Sequence, residues 1–347
     1  MVTGLAAVAA AAVAVARAAA DAPFVLVATQ RTGSAWIEQT LKDRVCDVDA
    51  DVEIMLDNDW CDDEAHARQK QYSEKKRTAA REGRRRLHGH CERNLTLHRL
   101  ALEALFDPSA PVPAGLEHRS KFRKSLARAR SGRAPTAFGF KWMTNQGLEE
   151  LWPWFLDLAA RRGINLVFLY RRDFLRMTVS RLHVRGTMPA HPNGEAAVVK
   201  VRESTRVSLP TGSDLIRDLD HTRAKFAMMD AWRAEAGARG VAIYEAIYED
   251  FVGREVDAFA ALAGYLTRDL DSSRSTCDPA TLPPLGASDP HWQQIHTAPT
   301  STYVANWDAV VATLNGSAYA AFAREDAPFS SSSGHHAGVE RPPPAQG

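Results

Sequence analysis

The stretch Pro23–Trp36, which reads PFVLVATQRTGSAW, decides the fold. Its first seven residues, Pro23–Thr29, form an apolar run typical of a buried strand, and apolar residues at helical spacing follow from Trp36 to Leu41. Between the two, Gln30–Ser34 contains a glycine and several polar residues, which favours a tight turn. A strand, a glycine turn and a helix in this order are the layout of a phosphate-binding loop.

This loop differs from the loop of proteins that hydrolyse nucleoside triphosphates. Such a loop carries a Lys and then a Ser or Thr directly after its last glycine, whereas Ser34 and Ala35 follow Gly33 here. The sequence therefore disfavours a kinase or ATPase. The loop still suits an anion, because Gly33 permits the turn, Ser34 can cap the helix and Arg31 adds a positive fork. An ordinary strand-to-helix turn with a serine cap is the alternative interpretation.

Further apolar runs predict three more strands, at 137–142, 164–170 and 241–247. Helical patterns separate them, at 148–161, 174–184 and 213–238. Continuous apolar strands that alternate with helices indicate a parallel sheet covered on both faces. We therefore predict an α/β fold, a P-loop NTPase-like parallel sheet flanked by helices, in a single domain with a charged insertion.

The predicted domain covers 23–325, with a charged, variable insertion at 47–133. The insertion is acidic at 57–64 and basic at 68–93 and 118–133, and we expect helices and loops there rather than core strands. It is either a solvated face or a basic wall for an anionic acceptor. Residues 326–347 have almost nothing to bury and are predicted to be disordered.

The first 22 residues form a separate segment that is apolar from Leu5 to Ala16. It resembles a secretory signal; a signal anchor and an Ala-rich or transit-like helix are the alternatives. Membrane association is expected only through residues 1–20. The prediction is therefore the secretory pathway, in the Golgi lumen, with the cytoplasm or a plastid as the alternative.

The overall composition excludes some partners. With 43 Lys and Arg against 42 Asp and Glu among 347 residues, the net charge of +1 argues against a nucleic-acid binder. The four cysteines show no zinc-ligand spacing, so no metal is expected, and their pairing stays open. Two glycosylation sequons, at Asn94 and Asn315, slightly favour a glycoprotein of the secretory pathway.

A second group of residues follows the predicted strand 164–170. Arg171 and Arg172 come directly after it, and Ser180 lies eight positions after Arg172 on the predicted helix. Two arginines at the end of a buried strand are costly unless an anion or a carboxylate meets them. These residues therefore predict a second phosphate site, and an Asp-paired structural Arg171 is the alternative.

Together the two groups resemble the sulfotransferase family. Arg31–Trp36 looks like its 5′-phosphosulfate loop, and Arg172 with Ser180 looks like its 3′-phosphate site. Weaker matches follow in the family's order, and the resemblance spans about 23–324. These matches are a GFK strand at 138–143, a YED strand end at 247–251 and a terminal helix at 306–319.

The resemblance implies a co-substrate, 3′-phosphoadenosine-5′-phosphosulfate, and no metal. Arg31, Thr32, Gly33 and Ser34 would hold its 5′-phosphosulfate, with Ala35 and Trp36 beside it, and Arg172 and Ser180 its 3′-phosphate. Arg31 would also act in catalysis. Ala35 stands where many members carry a hydroxyl, so its backbone amide would have to serve.

The general base is implied by a shorter match. Val52–Met55 looks like a GEIF-like segment without its glycine, which makes Glu53 the candidate base. The alternatives are a Glu53 that is merely exposed, and His183. The acceptor is a hydroxyl, expected on a glycan or else on a small metabolite. The competing functions are a non-catalytic module that binds sulfated polysaccharide or nucleotide, and a kinase of unusual loop chemistry.

Overall fold

The structure is a computed structural model that describes residues 22–51, 95–107, 109–114, 116, 120–130, 137–186, 206–270 and 299–324. The chain divides into two compact units, Met1–Arg171 with Thr222–Gln293, and Arg172–His221 with Gln294–Gly347. The domain boundaries drawn from the sequence stay a prediction.

The first unit is built on a parallel five-stranded sheet. Its strands are β1 (Pro23–Ala28), β2 (Val48–Asp51), β3 (Ala137–Met143), β4 (Asn165–Tyr170) and β5 (Ile243–Ile247). They lie in the order β2-β3-β1-β4-β5, and every pair of neighbours is parallel. The α/β fold with a parallel sheet flanked by helices is therefore confirmed.

Helices separate the strands of the first unit. They are α1 (Ser34–Arg44), α2 (Leu95–Phe106), α3 (Ser120–Ala129), α4 (Glu149–Arg162), α7 (Tyr248–Gly253) and α8 (Glu255–Thr267). A π-type turn, Thr144–Leu148, joins β3 to α4. α6 (Ser213–Ala238) begins in the second unit and ends in the first.

The core of the first unit lies on both faces of the sheet. On one face, Phe24, Leu26 and Ala28 of β1 belong to a buried cluster with residues of α1 and α8. On the other, Trp142 of β3 meets Phe155 of α4 with ring centroids 5.1 Å apart. Because β1, β3 and β4 are buried along almost their whole length, their sequences are continuous apolar runs.

One expectation about the insertion is wrong. Residues 47–133 were expected to supply no core strand, yet Val48–Asp51 forms β2 and pairs with β3. Val48 and Ala50 are buried, whereas the side chain of Asp49 between them is partly exposed. Aspartate is depleted in strands, and four residues with two small apolar side chains give a weak pattern. β2 is an edge strand, which tolerates such a sequence.

The second unit contains α5 (Phe174–Gly186), the start of α6, α9 (Thr300–Tyr303), α10 (Trp307–Asn315) and a 3₁₀ turn, Ala320–Ala323. Its core is a buried cluster that includes Leu175, Val179 and Leu215. Asn306 links the segment before α10 to the backbone of Leu209. Its side chain accepts a hydrogen bond from the amide of Leu209 and donates one to the carbonyl of Leu209.

None of the helices in the described part of the chain is long and apolar enough to cross a membrane. Cys46, in the turn between α1 and β2, is disulfide-bonded. Its partner lies outside the described residues.

Candidate active site

The predicted phosphate-binding loop, residues 29–34, leaves the carboxyl end of the central strand. β1 lies between β3 and β4, and Ala28 pairs with Met143 on one side and Leu169 on the other. The chain passes from β1 to β2 on one side and from β4 to β5 on the other, so the direction of winding reverses between β1 and β4. In open parallel sheets, ligands bind at the carboxyl ends of the strands at this point.

The backbone of the loop adopts an unusual conformation. Arg31 and Gly33 both lie in the left-handed region, with φ of 70° and 83°. The hydroxyl of Thr32 is buried and donates to the carbonyl of Thr29 over 2.9 Å. A non-glycine residue in this region stores strain, and such strain clusters at ligand-binding sites.

The sequence prediction for the helix cap is wrong by one residue. Gly33, not Ser34, is the N-cap of α1, and its carbonyl accepts from the amides of Trp36 and Ile37. Ser34 is buried in the first turn, with Oγ 4.0 Å from the sulfur of Met143. No side chain caps α1, and the amides of its first two residues, Ser34 and Ala35, have no backbone acceptor in the described part of the chain. These groups suit an anion.

A buried arginine lies against this loop. Arg171 follows β4 and is 7% exposed. Its Nη1 donates to the carbonyl of Arg31 over 2.9 Å, and its guanidinium lies 4.4 Å from the ring centroid of Tyr248. The expected alternative, an ion pair of Arg171 with an Asp, is wrong for the described residues.

Tyr248, the first residue of α7, also packs on the loop. A Cβ at Gly33 would overlap the ring of Tyr248, so only glycine allows this approach. The ring of Tyr248 also meets Trp36 edge-on, with centroids 6.0 Å apart. Trp36 touches Phe259 in the same way at 5.5 Å, so this predicted nucleotide contact is anchored in the core.

A buried ion pair lies beside the loop, between α1 and β3. The Nζ of Lys141 is 3.4 Å from a carboxylate oxygen of Glu38, and both side chains are 4% exposed. Sequence reasoning missed this pair. The signal was present, because a lysine inside an otherwise apolar strand needs an acid on a neighbouring element.

Two buried hydroxyls mark the same edge of the sheet. Thr29 follows Ala28 and Thr144 follows Met143, and these two preceding residues are paired in the sheet. Neither hydroxyl has a hydrogen-bond partner among the described residues. Such groups are uncommon in the interior of a protein and mark a place where a polar ligand could bind.

Tyr170, the last residue of β4, is not suited to act as a base. Burial raises the pKa of its phenol above the ordinary value, and the nearby carboxylate of Asp230 acts in the same direction. The phenol therefore stays protonated at neutral pH.

The predicted 3′-phosphate residues belong to the second unit. Arg172 precedes α5 and Ser180 lies on it, and both are partly exposed. Between them, Asp173 caps the helix, because its carboxylate accepts from the amide of Arg176 over 2.8 Å. The same carboxylate pairs with the Arg176 side chain at 3.1 Å. These contacts account for Asp173 and Arg176 as structural residues.

The two base candidates differ in what the structure describes. Glu53 lies outside the described residues. His183 is on α5, three residues after Ser180. The described residues contain no cluster of three or more His, Cys, Asp or Glu that could hold a metal ion.

The chain was compared with known proteins. No protein-family model and no curated protein matches it. Among solved structures, it is similar to the sulfotransferase domain of the olefin synthase of Synechococcus PCC 7002. The two share 12% identity with a TM-score of 0.33, over 82% of this chain and 86% of that chain. A score this low does not establish a shared fold, and it transfers no function.

Proposed function

We propose that this protein is a sulfotransferase that moves a sulfuryl group from 3′-phosphoadenosine-5′-phosphosulfate to a hydroxyl. The observation that carries the proposal is the loop after β1. It combines a glycine N-cap, uncapped helix amides and a buried arginine at the carboxyl edge of a parallel sheet. Because no lysine follows Gly33, the loop is less suited to a magnesium-bound nucleoside triphosphate than to a phosphosulfate.

The residues have separate roles in the proposed reaction. The first amides of α1, with Arg31, Thr32 and Ser34, hold the 5′-phosphosulfate. Arg172 and Ser180 hold the 3′-phosphate, as the resemblance of their spacing implies. Arg31 stabilises the charge that grows on the oxygen leaving the sulfur.

The transfer balances without a metal or an oxidant. The acceptor oxygen forms a bond to sulfur while the bond from sulfur to the 5′-phosphate oxygen breaks. The hydroxyl proton passes to a base, for which Glu53 is the candidate. The products are the sulfate ester and adenosine 3′,5′-bisphosphate.

The acceptor is proposed to be a glycan hydroxyl, with a small hydroxylated metabolite as the alternative. The basic segments of the insertion favour an anionic chain as acceptor. The disulfide at Cys46 supports an oxidising compartment such as the Golgi lumen.

Transfer of label tests the proposal. The protein is incubated with ³⁵S-labelled donor and a panel of glycans and small alcohols, with and without a magnesium chelator. We expect a labelled acceptor with and without the chelator. The Arg31→Ala variant should transfer no label and serves as the blank. In a parallel incubation with γ-³²P-labelled ATP, magnesium-dependent labelling of the acceptor would indicate a kinase. Glycan binding without nucleotide binding would indicate a non-catalytic module.

A further inference from the structure

The guanidinium of Arg171 is buried, and no carboxylate among the described residues pairs with it. It is 7% exposed, and its contacts are the carbonyl of Arg31 and the face of Tyr248. Its Nε has no hydrogen-bond partner among the described residues. Burying a full charge is costly unless an opposite charge meets it. The site is therefore electrostatically incomplete, and an anion in the adjacent loop would complete it.

The contact with Arg31 also shapes the loop. Arg31 holds a left-handed conformation that a residue with a side chain adopts at a cost. The bond from Nη1 of Arg171 occupies the carbonyl oxygen of Arg31, whose partial negative charge would repel an anion. Arg171 thus stabilises the conformation in which the loop amides are available.

Tyr248 links Arg171 to the other end of the loop. One part of its ring lies where a side chain on Gly33 would begin, and the guanidinium of Arg171 lies over the ring. A cation over an aromatic face is stabilised most where water is excluded. Arg31 and Gly33 are therefore both held, directly or through Tyr248, by one buried arginine.

We propose that Arg171 is an anion-binding and positioning residue of the phosphate-binding loop. It supplies a buried positive charge to the anion that the loop holds, in addition to the charge of Arg31, and it keeps Arg31 in its left-handed conformation. The inference rests on the proposed function only for the identity of the nucleotide.

The test compares Arg171→Met, which removes the charge at similar length, with Arg171→Lys, which keeps the charge and loses the planar fork. Calorimetry measures the affinity for adenosine 3′,5′-bisphosphate and for inorganic phosphate. Thermal unfolding with and without phosphate reports anion binding independently. The matched control is Arg206→Met, because Arg206 also donates to backbone carbonyls, those of Ser301 and Val304, and lies outside the basic segments of the insertion.

We expect Arg171→Met to lower the affinity for both anions by about 10- to 100-fold. The variant should also lose the phosphate-induced rise of the unfolding midpoint. Arg171→Lys should recover part of the affinity, since the charge returns, whereas a purely structural arginine would gain nothing from lysine. Arg206→Met should bind both anions like the parent. Equal affinity of the parent and both Arg171 variants would overturn the inference.

The outcomes separate this inference from the proposed function. If the parent binds phosphate in an Arg171-dependent way but not the bisphosphate, the inference stands and the sulfotransferase proposal fails. If the parent binds the bisphosphate and Arg171→Met binds it equally well, the sulfotransferase proposal stands and the inference about Arg171 fails. If the parent binds neither anion, both are overturned.

Discussion

The ring of Tyr248 occupies the space in which a side chain at Gly33 would begin. Residue 33 also lies in the left-handed region, with φ of 83°. Two independent constraints, a packed aromatic ring and the backbone conformation, therefore require glycine at the start of α1. The approach of α7 to the loop depends on both.

Gly33→Ala should abolish turnover and the binding of adenosine 3′,5′-bisphosphate. The new methyl group must displace Tyr248 or the loop, and either movement changes the direction of the first amides of α1. Turnover with labelled donor and a calorimetric titration measure the loss. Full activity in this variant would show that the loop does not close on the donor.

The matched control for this variant is Gly163→Ala. Gly163 ends α4 with φ of 64°, and a Cβ there meets nothing within 4 Å. Both variants should lose about 1 kcal/mol of stability from the left-handed backbone. Only the variant at position 33 should lose binding.

Arg31→Ala should also abolish turnover, because it removes positive charge near the oxygen that leaves the sulfur. Arg31→Gly separates charge from strain, since glycine adopts the φ of 70° freely. Because glycine relieves the strain, the glycine variant should be more stable than the alanine variant. If the charge of Arg31 is what catalysis needs, the two variants should be equally inactive. An active Arg31→Gly would assign the residue a conformational role only.

The sequence predicted the fold wherever a single segment carried the signal. β1, β3 and β4 are buried along almost their whole length, so their composition alone identified them, with ends that differ by one residue. α6 has the predicted bounds, Ser213–Ala238. β2 was not predicted, because two of its four residues are aspartates and the strand is defined by its pairing with β3.

The site was predictable only in part, for a related physical reason. A glycine turn between strand and helix is a local pattern, so the sequence could nominate Arg31 and Gly33 as candidate residues of the loop. The hydrogen bond from Arg171 to Arg31 joins residues separated by 140 positions, and no periodicity reports a pairing of that kind. The cap was assigned to Ser34 because serine favours caps, yet Gly33 takes that position where Tyr248 leaves no space for a side chain.

Arg172→Ala should weaken the binding of adenosine 3′,5′-bisphosphate by about 1.5 to 3 kcal/mol, the usual loss for a charge-assisted contact. The fold should survive because the residue is partly exposed. Calorimetry measures the affinity, and Arg217→Ala, which removes an exposed arginine paired with Asp214, is the control. Unchanged affinity at position 172 would remove it from the predicted 3′-phosphate site.

Glu53→Gln should lower the transfer rate by about 10² to 10⁴ while nucleotide affinity stays nearly unchanged. Glutamine keeps the size of the side chain and cannot accept the proton, so a packing role predicts little effect. Turnover and calorimetry on the same preparation measure the two quantities. A rate within a factor of about two of the parent would move the role to another residue, with His183 tested next.

Lys141 and Glu38 form an ion pair with both side chains 4% exposed, one strand away from the loop. Removing one member of such a pair leaves the other charge in a low dielectric, whereas removing both replaces a costly desolvated pair by apolar contact. The pair therefore predicts a specific pattern of stabilities for single and double variants.

Lys141→Met should lower the free energy of unfolding by about 3 to 5 kcal/mol, because it takes away a cation that lies 3.4 Å from the buried Glu38 carboxylate. The double variant Lys141→Met with Glu38→Leu should recover most of that loss. Denaturant unfolding measures all three proteins. As a reference, removing the exposed pair of Arg217 and Asp214 should cost less than about 1 kcal/mol. A Lys141→Met variant as stable as this reference, or a double variant no better than the single one, would contradict the buried pair.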